Sequence, residues 1–180
     1  MLKINTNTYL IDNITYQCSS NCDARPIDID IDTIVIHCIS LPAGVYDNNY
    51  IIDLFQNKLD VTKDASFESL VDLKVSAHLL VRRDGTIIQL VPFNLRAWHA
   101  GVSHYKGREN FNDFSIGIEL EGTPISRYTD IQYEKLNEVI AAIKLCYPNI
   151  TDNNIIGHNE ISPDRKEDPG SFFEWDKIKD

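Results

Sequence analysis

No stretch of the chain approaches the roughly 20 consecutive apolar residues that a membrane-crossing helix needs. The start, Met1-Leu2-Lys3-Ile4-Asn5-Thr6-Asn7-Thr8, also lacks an apolar core of signal-peptide length. The expectation is a mature chain retained in the cytosol. A basic balance is missing too: 17 Lys and Arg stand against 27 Asp and Glu, a formal net charge of −10. Nucleic acid and anionic membrane surfaces both require a positive field, so neither is an expected partner. There is no internal repeat, no low-complexity tract and no linker rich in Pro, Gly or Ser. That leaves a single domain over residues 1–180, with a core from about 32 to 175 and a polar, Asn-rich arm over 1–26. No obligate protein partner is inferred. The four cysteines, Cys18, Cys22, Cys38 and Cys146, are expected as free thiols in a reducing compartment. Cys18-x-x-x-Cys22 could be half of a structural zinc site, but no nearby pair completes it. His-Glu-x-x-His is absent, which excludes the zinc peptidases that carry it.

What is present reads as an ordinary soluble domain, 43% hydrophobic and long enough to bury roughly 70% of its unfolded surface. Residues 32–40 form a β-branched run of the kind buried in a sheet. A short amphipathic helix is predicted over 49–59, then a loop with one helical turn over 60–74. Residues 76–80 and 86–91 read as strands joined through Arg83-Asp84-Gly85, and the N-terminal arm as the source of one edge strand. Residues 114–120 alternate, with Phe114, Ile116, Ile118 and Leu120 on a buried face and Ser115, Gly117, Glu119 and Glu121 pointing away from the core. Thr129-Asp130-Ile131-Gln132 is a capping box for a helix that Pro148 stops. Ile155-Ile156 is a short strand ending at His158, and Ser171-Phe172-Phe173-Glu174 reads as a second capping box. Strands mixed with hairpins and helices make this α/β, with a mixed sheet flanked by helices.

Two imidazoles and a carboxylate form an open zinc site, leaving one tetrahedral position for water, and a free carboxylate nearby serves as general base. His37, His158 and Asp168 supply such a set, with Glu119 as the base. Spacing alone does not choose them. His78, His99 and His104 are rival ligands, Glu121 shares a strand face with Glu119, and Asp168 before Pro169-Gly170 could be a turn cap. An anionic substrate would need basic side chains working against the net charge, and Arg82, Arg83, Arg96, Arg108, Arg165 and Lys166 are available.

Five segments, in order, resemble one family: Ile36-His37-Cys38-Ile39-Ser40, Val75-Ser76-Ala77-His78, Arg96-Ala97-Trp98-His99-Ala100-Gly101, Asn112 to Gly122, and Gly157-His158 through Asp168-Pro169-Gly170. The family is the zinc-dependent N-acetylmuramoyl-L-alanine amidases, and the branch most similar is the cytosolic one acting on 1,6-anhydro-muropeptides in cell-wall recycling. The resemblance implies the mixed-sheet fold shared with peptidoglycan recognition proteins. It implies a Zn2+ cofactor held by His37, His158 and Asp168, with Glu119 as general base and Lys166 as electrophilic partner. The substrate implied is a small molecule, an anhydro-muropeptide cut between its lactyl group and L-alanine. Trp98, His99, Lys74, Arg96 and Arg108 become candidate substrate contacts. Rival readings of the same resemblance are a lytic, phage-type amidase on polymeric peptidoglycan and a non-catalytic peptidoglycan-binding module. Two positions depart from the branch pattern: Cys38 stands where an Asn usually follows the first ligand, and Asn110 where a basic residue is common.

Overall fold

The computed structural model describes residues 1–178. In chain order its strands are β1 (Thr15–Tyr16), β2 (Cys22–Ala24), β3 (Thr33–Ile39), β4 (Leu79–Val81), β5 (Ile87–Gln89), β6 (Leu95–Ala97), β7 (His104–Tyr105), β8 (Arg108–Glu109), β9 (Ser115–Glu121) and β10 (Ile155–Gly157). The α-helices are α1 (Tyr50–Phe55), α2 (Asp130–Cys146) and α3 (His158–Ile161). Six strands form one mixed sheet in the order β1-β5-β4-β9-β3-β10, in which only the β4/β5 pair is antiparallel. The expected edge strand of the arm is β1. Two small ribbons, β2-β6 and β7-β8, lie outside that sheet.

The centre is β3 beside β9, paired in parallel from Thr33↔Ser115 to Ile39↔Glu121. Ile34, Ile36, Ile116, Ile118 and Leu120 leave these strands on one face and pack against Leu136, Val139, Ile140 and Ile143 of α2. Each such side chain, removed from water, contributes roughly 1.5–3 kcal/mol. The Thr129 capping box starts α2 as the sequence predicts: Thr129 Oγ1 accepts from Gln132 N at 3.2 Å, and Gln132 Oε1 accepts from Thr129 N at 3.1 Å. On the other face the apolar cover comes in two pieces. One joins Ile51, Leu54 and Phe55 of α1 to Leu80 and Ile88. The other joins Val35 and Ile156 to Ala100, Phe111, Phe114 and Ile161. The functional residues lie on this divided face.

Several expectations need correction. Glu119 leaves the apolar face as expected, but every residue of β9 is buried, so it enters a second covered face. Phe114 precedes the strand and packs on that second face with Phe111, its ring beneath the Arg108 guanidinium at 3.6 Å; alternation holds only inside the ladder. The strand expected from residue 76 begins at Leu79, because His78 takes over the sheet's hydrogen bonds there. His78 N donates to Gly117 O at 3.0 Å and Gly117 N donates to His78 Nδ1 at 3.0 Å. The helix over 49–59 is confined to Tyr50–Phe55, and residues 60–74 hold two 3₁₀ segments, Val61–Lys63 and Ala65–Leu70, capped by the Asp60 and Asp64 carboxylates. The second capping box does not form: the last turn is 3₁₀, Trp175–Lys177, with Glu174 at its N-cap and no side-chain cap bond. In the β4/β5 hairpin, Gly85 takes the positive φ of +85° as expected.

Candidate metal centre

His37 is the fifth residue of β3, His158 follows the end of β10, and Asp168 lies ten residues further on. β10 pairs with β3 up to Gly157↔Ile36, which sets His158 beside His37. The two Nδ1 atoms are 2.9 Å apart, and Asp168 Oδ2 lies 3.1 Å from His158 Nδ1 and 3.3 Å from His37 Nδ1. All three residues are buried, and among the described residues this is the one cluster of metal-ligating groups detected.

The outer nitrogens explain why the Nδ1 atoms face inward. His158 Nε2 donates to the Ala100 carbonyl at 3.1 Å, which leaves its Nδ1 lone pair pointing at Asp168. His37 Nε2 lies 2.9 Å from His99 Nδ1. Burial lowers His37 to about 4, so near neutral pH its ring carries no charge. Burial raises the Asp168 carboxyl, but the neighbouring His158 and His37 outweigh that cost and hold it well below the ordinary carboxylate range. Three inward-facing donor atoms this close repel one another unless a cation lies among them. That donor set, two nitrogens and one oxygen with a side open to a cleft, matches an open zinc site.

The cleft measures about 250 Å³, and its walls include His37, His99, Glu119, His158, Lys166 and Asp168. Glu119 is the register partner of His37. Its Oε2 is buried with no hydrogen-bond partner. Burial drives this carboxyl well above the usual range, with Asp168 adding to the rise and Lys166 opposing it. A carboxylate so placed has the proton affinity of a general base and no competing donor. Glu121, the rival, lies two residues on and off the cleft wall; its Oε2 accepts from Arg83 N at 3.0 Å, and its Oε1 is likewise buried without a partner.

Family comparison agrees with this geometry. The profile described as N-acetylmuramoyl-L-alanine amidase matches residues 27–171.

The chain belongs to the N-acetylmuramoyl-L-alanine amidase family.

This amidase is 50% identical over 161 residues to the 1,6-anhydro-N-acetylmuramyl-L-alanine amidase AmpD of Escherichia coli (strain K12), covering 89% of this chain and 87% of that one. Its identity to AmpD of Haemophilus influenzae is 49%, over 88% and 86% of the two chains. A crystal structure of a selenomethionine AmpD derivative superposes with a TM-score of 0.92 at 47% identity, over 95% of both chains. E. coli AmiD in complex with anhydro-N-acetylmuramic acid-L-Ala-D-gamma-Glu-L-Lys superposes at 0.61 with 30% identity, over 86% of this chain and 59% of that one.

The other predicted residues of the amidase divide. Lys166 and His99 line the cleft. Lys74 lines an adjoining cavity of about 280 Å³, which shares Leu54, Leu70 and Leu73 with the first. Arg96 is held elsewhere: it clamps Asp23 at 2.7 and 2.6 Å and reaches Asp113 at 2.5 Å. Arg108 pairs with Asp32 at 3.0 Å while covering Phe114. Trp98 is half-buried and is not on the cleft wall. These three lie off the cleft wall in this structure. The rival ligands are also accounted for. His78 has both nitrogens engaged, Nδ1 by Gly117 N and Nε2 by Leu95 O and Arg25, and burial lowers it to about 3. His104 is exposed in β7. The four cysteines are unpaired, and Cys18 and Cys22 both reach the Ser19 carbonyl. Cys38 lines the cleft as a protonated thiol, pushed up by burial to about 12.

Proposed function

We propose that this amidase hydrolyses the amide joining the lactyl group of 1,6-anhydro-N-acetylmuramic acid to L-alanine in small muropeptides, with zinc held by His37, His158 and Asp168. One observation carries the reading. In a chain 50% identical to AmpD, two imidazole nitrogens and one carboxylate oxygen converge in a cleft that also holds a buried, unpartnered carboxylate oxygen. When bound, zinc supplies a Lewis acid that polarises the carbonyl and lowers the pKa of water towards about 7.

The chain's own residues do the rest. Glu119 Oε2, free of other donors, takes a proton from the attacking water. The Lys166 ammonium, on the same cleft wall, faces the negative charge that develops on the lactyl oxygen, the term that usually dominates acyl transfer. Glu119 then returns its proton to the departing L-alanine amine, since burial favours its protonated form. Lys74, on the adjoining cavity, would meet stem-peptide carboxylates. A cytosolic setting, where thiols stay reduced, accords with the four unpaired cysteines.

Incubation with purified anhydro-muropeptide and, separately, with intact sacculi tests the assignment. Free anhydro-N-acetylmuramic acid and peptide from the first, with little release from the second, is the expected result. Equal release from sacculi would point to a lytic amidase. No product from either, with ligand retained, would point to a binding module.

A further inference from the structure

We propose that His99 is a positioning residue for the metal centre: it holds His37 in the one tautomer that directs Nδ1 into the cleft, and Gly117 is there to make room for its ring. The inference rests on the zinc assignment above. A hydrogen-bonded chain runs from His37 Nε2 to His99 Nδ1 at 2.9 Å, from His99 Nε2 to Ser115 Oγ at 3.1 Å, and from Ser115 Oγ to the Phe111 carbonyl. With the Ser115 hydroxyl donating to the Phe111 carbonyl, its polarity follows. The Phe111 carbonyl can only accept, so the Ser115 hydroxyl proton points to it and Oγ accepts from His99. His99 therefore carries its proton on Nε2 and accepts at Nδ1, and His37 must donate from Nε2. The lone pair of His37 Nδ1 is left facing His158 and Asp168. A carbonyl four residues before Ser115 thus determines which nitrogen of His37 is available, the orienting role that partners of ligand histidines commonly play.

The surroundings are built around this ring. His99 is 8% exposed, although it lines the cleft. It meets the His37 ring edge-on at 84° with centroids 5.0 Å apart. Its backbone N and that of Ala100 donate to Asn112 Oδ1 at 3.0 and 2.7 Å, so its loop is tied down as well. A Cβ at residue 117 would lie 2.6 Å from His99 Nδ1 and 2.7 Å from its Cδ2, closer than atoms can approach. Any side chain at that β9 position would expel the ring. Both ring nitrogens of His99 are thus engaged within the protein.

The test compares zinc affinity, by competition with a chromophoric chelator, in His99→Ala, His99→Asn and Gly117→Ala, with Asp168→Ala as reference. The His99→Ala and Gly117→Ala proteins should bind zinc about 10–100-fold more weakly. The Asn side chain can place Oδ1 near the position of His99 Nδ1 and accept from His37, so His99→Asn should recover affinity to within about fivefold of the parent. In zinc-saturated protein, KM should change much less than zinc affinity does, because the proposed role acts through His37. Unchanged zinc affinity in His99→Ala, or no difference between the Ala and Asn variants, would overturn the proposal. So would a raised KM as the main effect. If Asp168→Ala also kept parental zinc affinity, the metal-centre assignment itself would fall. Loss there with retention in His99→Ala would remove only the role of His99.

Discussion

Glu119 and His37 are register partners on adjacent parallel strands, β9 and β3, and both side chains leave the sheet on the face opposite α2. The sheet ladder therefore places the proposed base beside a proposed ligand before any loop is considered. Because strand register is set by apolar residues on the other face, a one-residue slip would send Glu119 into the α2 interface.

The convergence of His37, His158 and Asp168 predicts one zinc per chain. Asp168→Ala and His37→Ala should each abolish tight zinc binding while far-UV circular dichroism stays close to that of the parent. Metal analysis after dialysis checks this. Stoichiometric zinc in either variant would refute the ligand set, and a second equivalent lost on replacing Cys18 and Cys22 would reveal another site.

Glu119→Ala should retain zinc and lose about 10² to 10⁴ in turnover, the usual contribution of a positioned acid–base group. Burial raises the Glu119 carboxyl, and a base works only when deprotonated, so activity should rise with pH through that raised value. The acidic limb of the kcat/KM profile should be missing from the residual activity of Glu119→Ala. Glu121→Gln keeps an acceptor for Arg83 N and should stay near parental turnover; a dead Glu121→Gln beside an active Glu119→Ala would reverse the choice of base.

Arg96 contributes through its clamp on Asp23 and Asp113. Arg96→Met should cost no more than about 1 kcal/mol at neutral pH, since the group is partly exposed, and should leave KM unchanged. The hydrogen bond from Arg96 lowers the Asp23 carboxyl. Its contribution is therefore full above the unfolded carboxylate value and is lost as pH falls through the lowered folded one. Urea unfolding of both proteins should show the difference shrinking in acid, and a gap that widened there would contradict the ion-pair account.

Thr129 caps α2 and also donates from Oγ1 to the Arg83 carbonyl at 2.9 Å. Thr129→Ala should destabilise the fold by about 1–2 kcal/mol, lowering Tm by a few degrees, with zinc content unchanged. A Tm equal to the parent's would mean that the cap contributes nothing here.

Soluble anhydro-muropeptides should be far better substrates than non-anhydro fragments cut from sacculi, because recognition by paired polar groups penalises a ligand that leaves them unmatched. The AmpD likeness motivates this expectation. Comparable kcat/KM on the two would favour the lytic alternative, and a blunted preference would direct attention to Cys38 and Asn110.

The sequence by itself determined the elements whose signals are local. The branched run at Ile34–Ile36, the alternation read over 114–120 apart from Phe114, the Asp84-Gly85 turn and the Thr129–Gln132 box all depend on neighbours a few residues away, and each appears close to its expected place. The ordered motifs also carried the family. Only the tertiary structure shows which of the five histidines converge with Asp168, because where a ring nitrogen points depends on partners distant in the chain. His37 and His158 meet across 121 positions, His37 and His99 across 62. The same holds for Arg96, read as a substrate contact from its charge and motif yet held by Asp23 from 73 residues away. A side chain's charge is written in the sequence, but whether that charge is free to meet a ligand depends on what folding brings beside it.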